Sequence, residues 1–152
     1  MANSEEEYIE RVYELMDIAK ESLETKRKVL EKLTEQGLYP YSKFYLRGIK
    51  QRLGSYWANH FNTIGILGMN ESLINFMVKD ITLEEGSNFA QKIMKLMKER
   101  MLEYQEETGN LYNLEATPAE STTYRFAKKD KEQFEDIIVA NEDKVQQQDA
   151  EP

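Results

Sequence analysis

Between Asn110 and Arg125 the chain reads NLYNLEATPAESTTYR, and this stretch gathers the groups best suited to holding an anion. Leu111, Leu114 and Ala116 are apolar among Tyr112, Asn113 and Glu115, the composition of a short, largely buried strand. Thr117 fits an N-cap, Pro118 the first helical position, and Glu120 completes a Thr-x-x-Glu capping box. A helix begun in this way offers unpaired backbone N–H groups and the positive end of its dipole, with the hydroxyls of Ser121, Thr122 and Thr123 close by. A phosphate or carboxylate suits that arrangement. The plainer alternative is that the caps do no more than start a helix.

Other chemistries are thinly represented. The 152 residues include no cysteine, which excludes disulfides, thiolate chemistry and cysteine-ligated metals within this chain. The lone histidine, His60, cannot build a zinc site by itself, so no metal site is expected. A net charge of −8 argues against nucleic acid as a partner, because phosphate backbones require positive surface. Lys43, Arg47, Lys50 and Arg52, near Tyr41, Tyr45 and Tyr56, are a local exception, read as a solvated basic face in preference to a nucleotide or RNA surface. Gly65 and Gly68 form a G-x-x-G without the third glycine and downstream acid of a dinucleotide fingerprint, hence a turn. No apolar run approaches the ~20 residues of a membrane span, and Met1–Glu10 has no signal-peptide pattern. A cytoplasmic protein without membrane contact is the expectation.

The elements around these residues are mostly helical. Hydrophobic content of 40% and charged content of 32% suit one helix-rich domain with much solvated surface. Ser4 and Glu7 form a capping box that opens a helix of ~30 residues, closed by Gly37. Within it Ile9, Val12, Met16, Ala19, Leu23, Leu30 and Leu33 mark one narrow apolar seam, broken at Lys26. Leu38–Tyr45 is expected as an irregular connector packed on the domain, and Lys43–Ala58 as a shorter helix weakened by Gly48 and Gly54. Phe61–Leu67 is the strand candidate of the first half, ended by Gly68. Asn70–Val78 is a helix with Leu73, Ile74 and Met77 on its apolar side. Thr82 and Glu85 form another capping box, starting a helix to about Glu107 that buries Phe89, Ile93, Leu96, Met97, Met101 and Tyr104 and stops at Gly109. Met94, Met97 and Met101 read as core filler. Ile137–Ala140 could add a short strand, and Asn141–Pro152 has nothing to bury and is expected to be disordered. Strands alternating with helices imply parallel pairing, yet two or three short strands do not complete a sheet. Four or five helices with two or three strands suggest part of a larger α/β sheet or barrel.

Three long segments carry a resemblance. KRKVLEKLTEQGLYPYSKFYL, YWANHFNTIGILGMNESLINF and ERMLEYQEETGNLYNLEATPAESTTYRFAKKDK are similar to the anaerobic (class III) ribonucleoside-triphosphate reductases, over about Glu5 to Ala140. Asn62 stands where that family commonly has serine, and Ser121 where it commonly has glycine. The resemblance implies that residues 1–140 are a fragment of a ten-stranded α/β catalytic barrel, followed by a polar tail over 141–152. It implies an oxidoreductase in which a glycyl radical generates a cysteine thiyl radical that attacks the ribose, with formate as reductant. Glu115–Thr123 would then correspond to the loop that receives substrate phosphates, through the backbone of Ala119 and Glu120 and the hydroxyls of Ser121, Thr122 and Thr123. Serine at position 121 would crowd an approach that glycine leaves open. His60, Asn62, Thr63, Asn113 and Glu115 are further candidates to line the cavity.

The same resemblance places the radical cysteine upstream of this segment and the radical glycine and cysteine-bound zinc downstream, so no cofactor is expected within it. Alone, the chain is expected not to reduce ribonucleotides. Its implied partners are a ribonucleoside triphosphate, the remaining segments of the reductase and the radical-generating activase. Two other readings remain open at this stage. One is a nucleotide- or phosphate-binding module without turnover. The other is a helical association module, with homodimerisation through the seam Ile9–Leu33 or unpaired strand edges.

Overall fold

The computed structural model describes residues 2–116 and 119–139, which form six helices and two parallel strands. In chain order these are α1 (Glu5–Glu35), α2 (Pro40–Tyr45), α3 (Arg47–Leu53), β1 (Phe61–Ile66), α4 (Met69–Met77), α5 (Glu84–Thr108), β2 (Leu111–Ala116) and α6 (Glu120–Gln133). They are distributed over two compact units. One draws on Met1–Glu7, Gly65–Lys95 and Glu115–Pro152, the other on Tyr8–Ile64 and Leu96–Leu114.

Helix α1 starts and stops where its sequence says it should. The Ser4 hydroxyl accepts the Glu7 N–H at 3.2 Å, and the Glu7 carboxylate accepts the Asn3 N–H at 2.6 Å. At the other end Gly37 adopts φ +85°, its N–H reaches the Thr34 carbonyl, and the Leu38 N–H reaches Leu33, both at 3.0 Å. This is a Schellman motif, and glycine at that left-handed position avoids the Cβ penalty. The expected seam is the inward face: Met16 is buried, and Ile9, Val12, Ala19, Leu23, Leu30 and Leu33 are half-buried.

The polar side of α1 carries a feature as important as its seam. Asp17, Glu24 and Glu31 recur every seven residues, about two helical turns, and so form one row. In the Tyr8–Ile64 and Leu96–Leu114 unit each carboxylate is met by a different element. Asp17 accepts from Tyr104 of α5 and from Arg100 at 2.9 Å. Glu24 accepts from Asn62 of β1 at 2.7 Å and from Asn110 at 2.9 Å and Tyr112 at 2.7 Å, around the start of β2. Glu31 accepts from Lys50 of α3 at 2.8 Å, and from the Ser55 hydroxyl and Tyr56 N–H at 2.8 and 2.9 Å. Thr34 continues the row, fully buried, and accepts the Trp57 indole N–H at 3.1 Å.

In the two-stranded sheet β1 pairs with β2. Alternation along a strand turns Asn62, Ile64 and Tyr112 inward and leaves Phe61, Thr63 and Leu111 outward. The strand expected from Leu111 to Ala116 is present, but it is less buried than expected, with Leu114 half-buried. Tyr112 is buried, while Leu111 and Ala116 are exposed. A tyrosine whose hydroxyl has a carboxylate partner can be buried at little cost, and it carries more apolar area than a leucine.

The connector expected over Leu38–Tyr45 is instead α2, opened by Pro40 at its first position. Its aromatic residues do not pack inward: Tyr41, Phe44 and Tyr45 are 79%, 58% and 75% exposed. The shorter helix expected over Lys43–Ala58 is confined to α3, which Gly54 ends at φ +81°.

In the other unit α4 buries Leu73 completely, and Phe76 stacks on Phe89 of α5 with ring centroids 5.5 Å apart. The capping box expected from Thr82 and Glu85 does not start α5. The Thr82 hydroxyl is donated to Asp80 at 2.5 Å, and Glu85 pairs with Lys79. Helix α5 begins at Glu84, and it ends before Gly109 (φ +70°) as expected. Ile137–Val139 is not a strand. The Ile137 N–H donates to the Phe134 carbonyl at 3.1 Å, and the Asn75 amide donates to the Ile138 carbonyl at 2.7 Å and accepts its N–H at 2.8 Å. Ala140 and the tail expected over 141–152 lie outside the described residues.

Candidate functional site

The junction between β2 and α6 lies in the unit that contains Glu115–Pro152. The expected cap residues Thr117 and Pro118 lie outside the described residues. Helix α6 opens at Glu120, two residues later than expected, with Ala119 as its N-cap in a left-handed conformation (φ 39°, ψ 46°). The first turn already uses part of what was expected to face an anion. The N–H groups of Thr122 and Thr123 both donate to the Ala119 carbonyl, at 2.8 and 2.9 Å, and the Thr123 hydroxyl donates to it at 3.1 Å. The N–H groups of Ala119, Glu120 and Ser121 precede these bonds, as the first amides of any helix do. Ser121 and Thr123 are exposed and Thr122 is half-buried. Glu120 is exposed in the first turn, where its charge complements the helix dipole and competes with any incoming anion.

The second group of candidates lies on and beside the sheet. The Thr63 hydroxyl donates to the Asn113 side-chain oxygen at 2.7 Å, joining the two strands on their outward side. Glu115 is exposed, and strand alternation puts it on the same side of β2 as Asn113. Asn62 is on the covered side, 5% exposed, where it accepts Arg27 at 2.9 Å and donates to Glu24 at 2.7 Å. It is a structural cross-link between α1 and β1 and does not line an open surface. His60 precedes the strand; its ring sits edge-on to Trp57 at 4.9 Å, and its carbonyl accepts Arg27 at 2.6 Å. Of the five residues, Thr63 and Asn113 are thus brought into contact, while His60 and Asn62 are engaged with Arg27. The phosphate candidates Ala119–Thr123 belong to one compact unit and the Thr63–Asn113 pair to the other.

Sequence reading missed Glu24 and Arg27, which fix the starts of both strands. Arg27 donates to the carbonyls of Trp57 and His60 and to Asn62, at 2.5, 2.6 and 2.9 Å. Burial, aided by the hydrogen bond to Glu24, pushes the Tyr112 phenol up to about 12. The signal available was the seven-residue recurrence of acids on α1, which looks like solvated surface when only the apolar seam is followed.

Among the described residues there is no group of three or more His, Cys, Asp or Glu side chains that could hold a metal ion. The cysteine-bound zinc that the resemblance implies does not fit this chain, which has no cysteine. Among the described residues no helix is long and apolar enough to cross a membrane.

Comparison with known proteins gives one family. Residues 1–148 match the family model described as anaerobic ribonucleoside-triphosphate reductase. No curated protein and no solved structure gives a significant match. Because the family match covers nearly the whole length, the chain belongs to the anaerobic ribonucleoside-triphosphate reductase family.

Proposed function

We propose that this chain supplies the substrate-phosphate side of an anaerobic ribonucleoside-triphosphate reductase, as a segment of its α/β barrel. The observation that carries this reading is the family match over residues 1–148. The local geometry supports it. A helix N-terminus at Ala119–Ser121 suits a phosphate. Without a cysteine the chain cannot form a thiyl radical, so turnover requires polypeptide bearing the radical cysteine and the radical glycine. What this chain contributes is binding and orientation of the triphosphate.

The test is binding, followed by complementation. A ribonucleoside triphosphate at ~10 times its Kd stabilises by about 1.4 kcal/mol, which raises Tm by roughly 3–6 °C in a chain of this size. Replacing Thr122 and Thr123 together by valine keeps the branched shape and removes both hydroxyls, so the shift shrinks while helix content is unchanged. A wild-type chain with no thermal shift at millimolar triphosphate would sink the proposal. An undiminished shift in the double variant would move the phosphate elsewhere. Anoxic co-expression with cysteine- and glycine-bearing segments then tests whether binding serves turnover.

A further inference from the structure

Two buried tyrosines of the Tyr8–Ile64 and Leu96–Leu114 unit lie against each other, and each has a base of its own. The rings of Tyr104 and Tyr112 are 5.6 Å apart between centroids and tilted by 53°. The two residues are 0% and 6% exposed. The Tyr104 phenol donates to Asp17, and the Tyr112 phenol donates to Glu24 at 2.7 Å. We propose that Tyr112 is a one-electron donor to radical oxidants, with Glu24 as the acceptor of its proton and Tyr104 as the relay through which the oxidising equivalent arrives. None of these groups belongs to the candidate phosphate site.

A phenol gives up an electron readily only when its proton leaves too, because a buried radical cation carries the full penalty of an unpaired charge. A carboxylate already within hydrogen-bond reach takes that proton with no rearrangement of heavy atoms. Oxidation of Tyr112 thus sends one electron to the oxidant and the phenolic proton to Glu24, leaving a neutral phenoxyl and a carboxylic acid. Burial then keeps the phenoxyl from coupling with radicals on other molecules.

The two tyrosines are not equivalent. Lys20 and Arg100 lie over the Tyr104 ring, 5.0 and 5.2 Å from its centroid, and Asp17 is ion-paired with Arg100 at 2.9 Å. Cations over a ring oppose removal of an electron from it, and a paired carboxylate is the weaker base. Among the described residues Glu24 accepts from uncharged donors, Asn62, Asn110 and Tyr112. The oxidising equivalent therefore settles on Tyr112. An oxidised Tyr104 takes the electron of Tyr112 and recovers its own proton from Asp17, while the Tyr112 proton passes to Glu24. Tyr13 is half-buried and lies 5.5 Å from the same Arg100 guanidinium, which extends the aromatic group towards solvent. A one-electron reductant such as ascorbate returns the electron, and Glu24 returns the proton.

Flash oxidation of the full chain by photogenerated tris(bipyridyl)ruthenium(III), followed by transient absorption and electron paramagnetic resonance, tests this. The wild-type chain should give a fast-decaying phenoxyl signal from exposed tyrosines such as Tyr41 and Tyr45, and a long-lived one from Tyr112. Tyr112→Phe retains the ring and should abolish the long-lived signal, with circular dichroism to verify folding. Glu24→Gln keeps an acceptor oxygen but not the base, and should slow formation of that signal at least ~10-fold. Tyr104→Phe should slow it as well, because the relay is lost. In the wild-type chain, formation should be slower in heavy water than in light water, because the proton moves with the electron, and this readout needs no variant. A wild-type chain without a long-lived signal overturns the proposal, as does an undiminished signal in Tyr112→Phe. So does a rate unchanged in the folded Glu24 or Tyr104 variant, or equal in the two solvents.

Discussion

A buried hydroxyl shows how one residue can hold an element in place. Tyr112 is buried at the start of β2 and donates to Glu24 at 2.7 Å, beside Asn62 and Asn110. Tyr112→Phe keeps the ring and removes one hydrogen bond to a charged acceptor, a loss of about 1–2 kcal/mol at pH 7. The alkaline behaviour reports the proton that burial and this bond together hold on the phenol. In the unfolded chain the phenol ionises near pH ~10, whereas the folded protein holds the proton until about 12. The unfolded state loses its proton first, so this contribution is fully present below pH ~10 and declines as pH rises through the folded value. The phenylalanine variant lacks that decline, while Tyr104, also raised, behaves alike in both proteins. Urea unfolding at pH 8 and pH 11 should therefore show the gap between wild type and variant narrowing at the higher pH. An equal gap at both values would mean that burial and the Glu24 bond together do not hold the phenol's proton.

Glycines make the sharpest predictions at the level of elements. A Cβ on Gly86, in the first turn of α5, would lie 2.1 Å from the Asp80 carbonyl oxygen, whereas one on Gly48, inside α3, would meet nothing within 4 Å. Gly86→Ala must displace backbone and should cost ~2 kcal/mol or more. Gly48→Ala only improves helix propensity and should add about 0.5–1 kcal/mol. Urea midpoints check both, and equal effects would show that the α5 entry yields freely. The contrast also shows what local sequence can reveal. Ser4, Gly37, Gly68 and Gly109 mark boundaries through backbone rules acting over a few residues, and those boundaries were legible. Thr82 looked like a cap just as Ser4 did, yet Asp80 two residues earlier captured its hydroxyl. Leu38–Tyr45 looked too aromatic to be an exposed helix, because composition alone implies burial. Ile137–Val139 looked like a strand, but the backbone of Ile138 bonds to the side chain of a distant asparagine, which no periodicity announces.

Over the whole chain, the family was legible in three long segments, and residues 1–148 match it. The site was legible less completely. Alternation puts Thr63 and Asn113 outward and Asn62 inward, but which face a strand buries depends on helices far away in sequence. What most organises the Tyr8–Ile64 and Leu96–Leu114 unit is the carboxylate row on α1, and acid should expose it. Burial alone would raise the Asp17 carboxyl, but hydrogen bonds from Tyr104 and Arg100 and the charges of Arg100 and Lys20 hold it below its ordinary value. Burial of Glu31 is likewise outweighed by bonds from Lys50, Ser55 and the Tyr56 N–H and by the charge of Lys50. Depressed carboxylates contribute stability above their unfolded values, near pH ~4, and lose it as pH falls through the folded ones, because the unfolded chain takes up protons first. With side chains 45% and 25% exposed, solvent screening limits each contribution to about 1 kcal/mol. Asp17→Asn and Glu31→Gln should therefore each lower Tm by a few degrees at pH 7, and each should flatten the decline between pH 5 and pH 3. If the variants parallel the wild type across that range, the row is held by shape and its charges contribute nothing to folding.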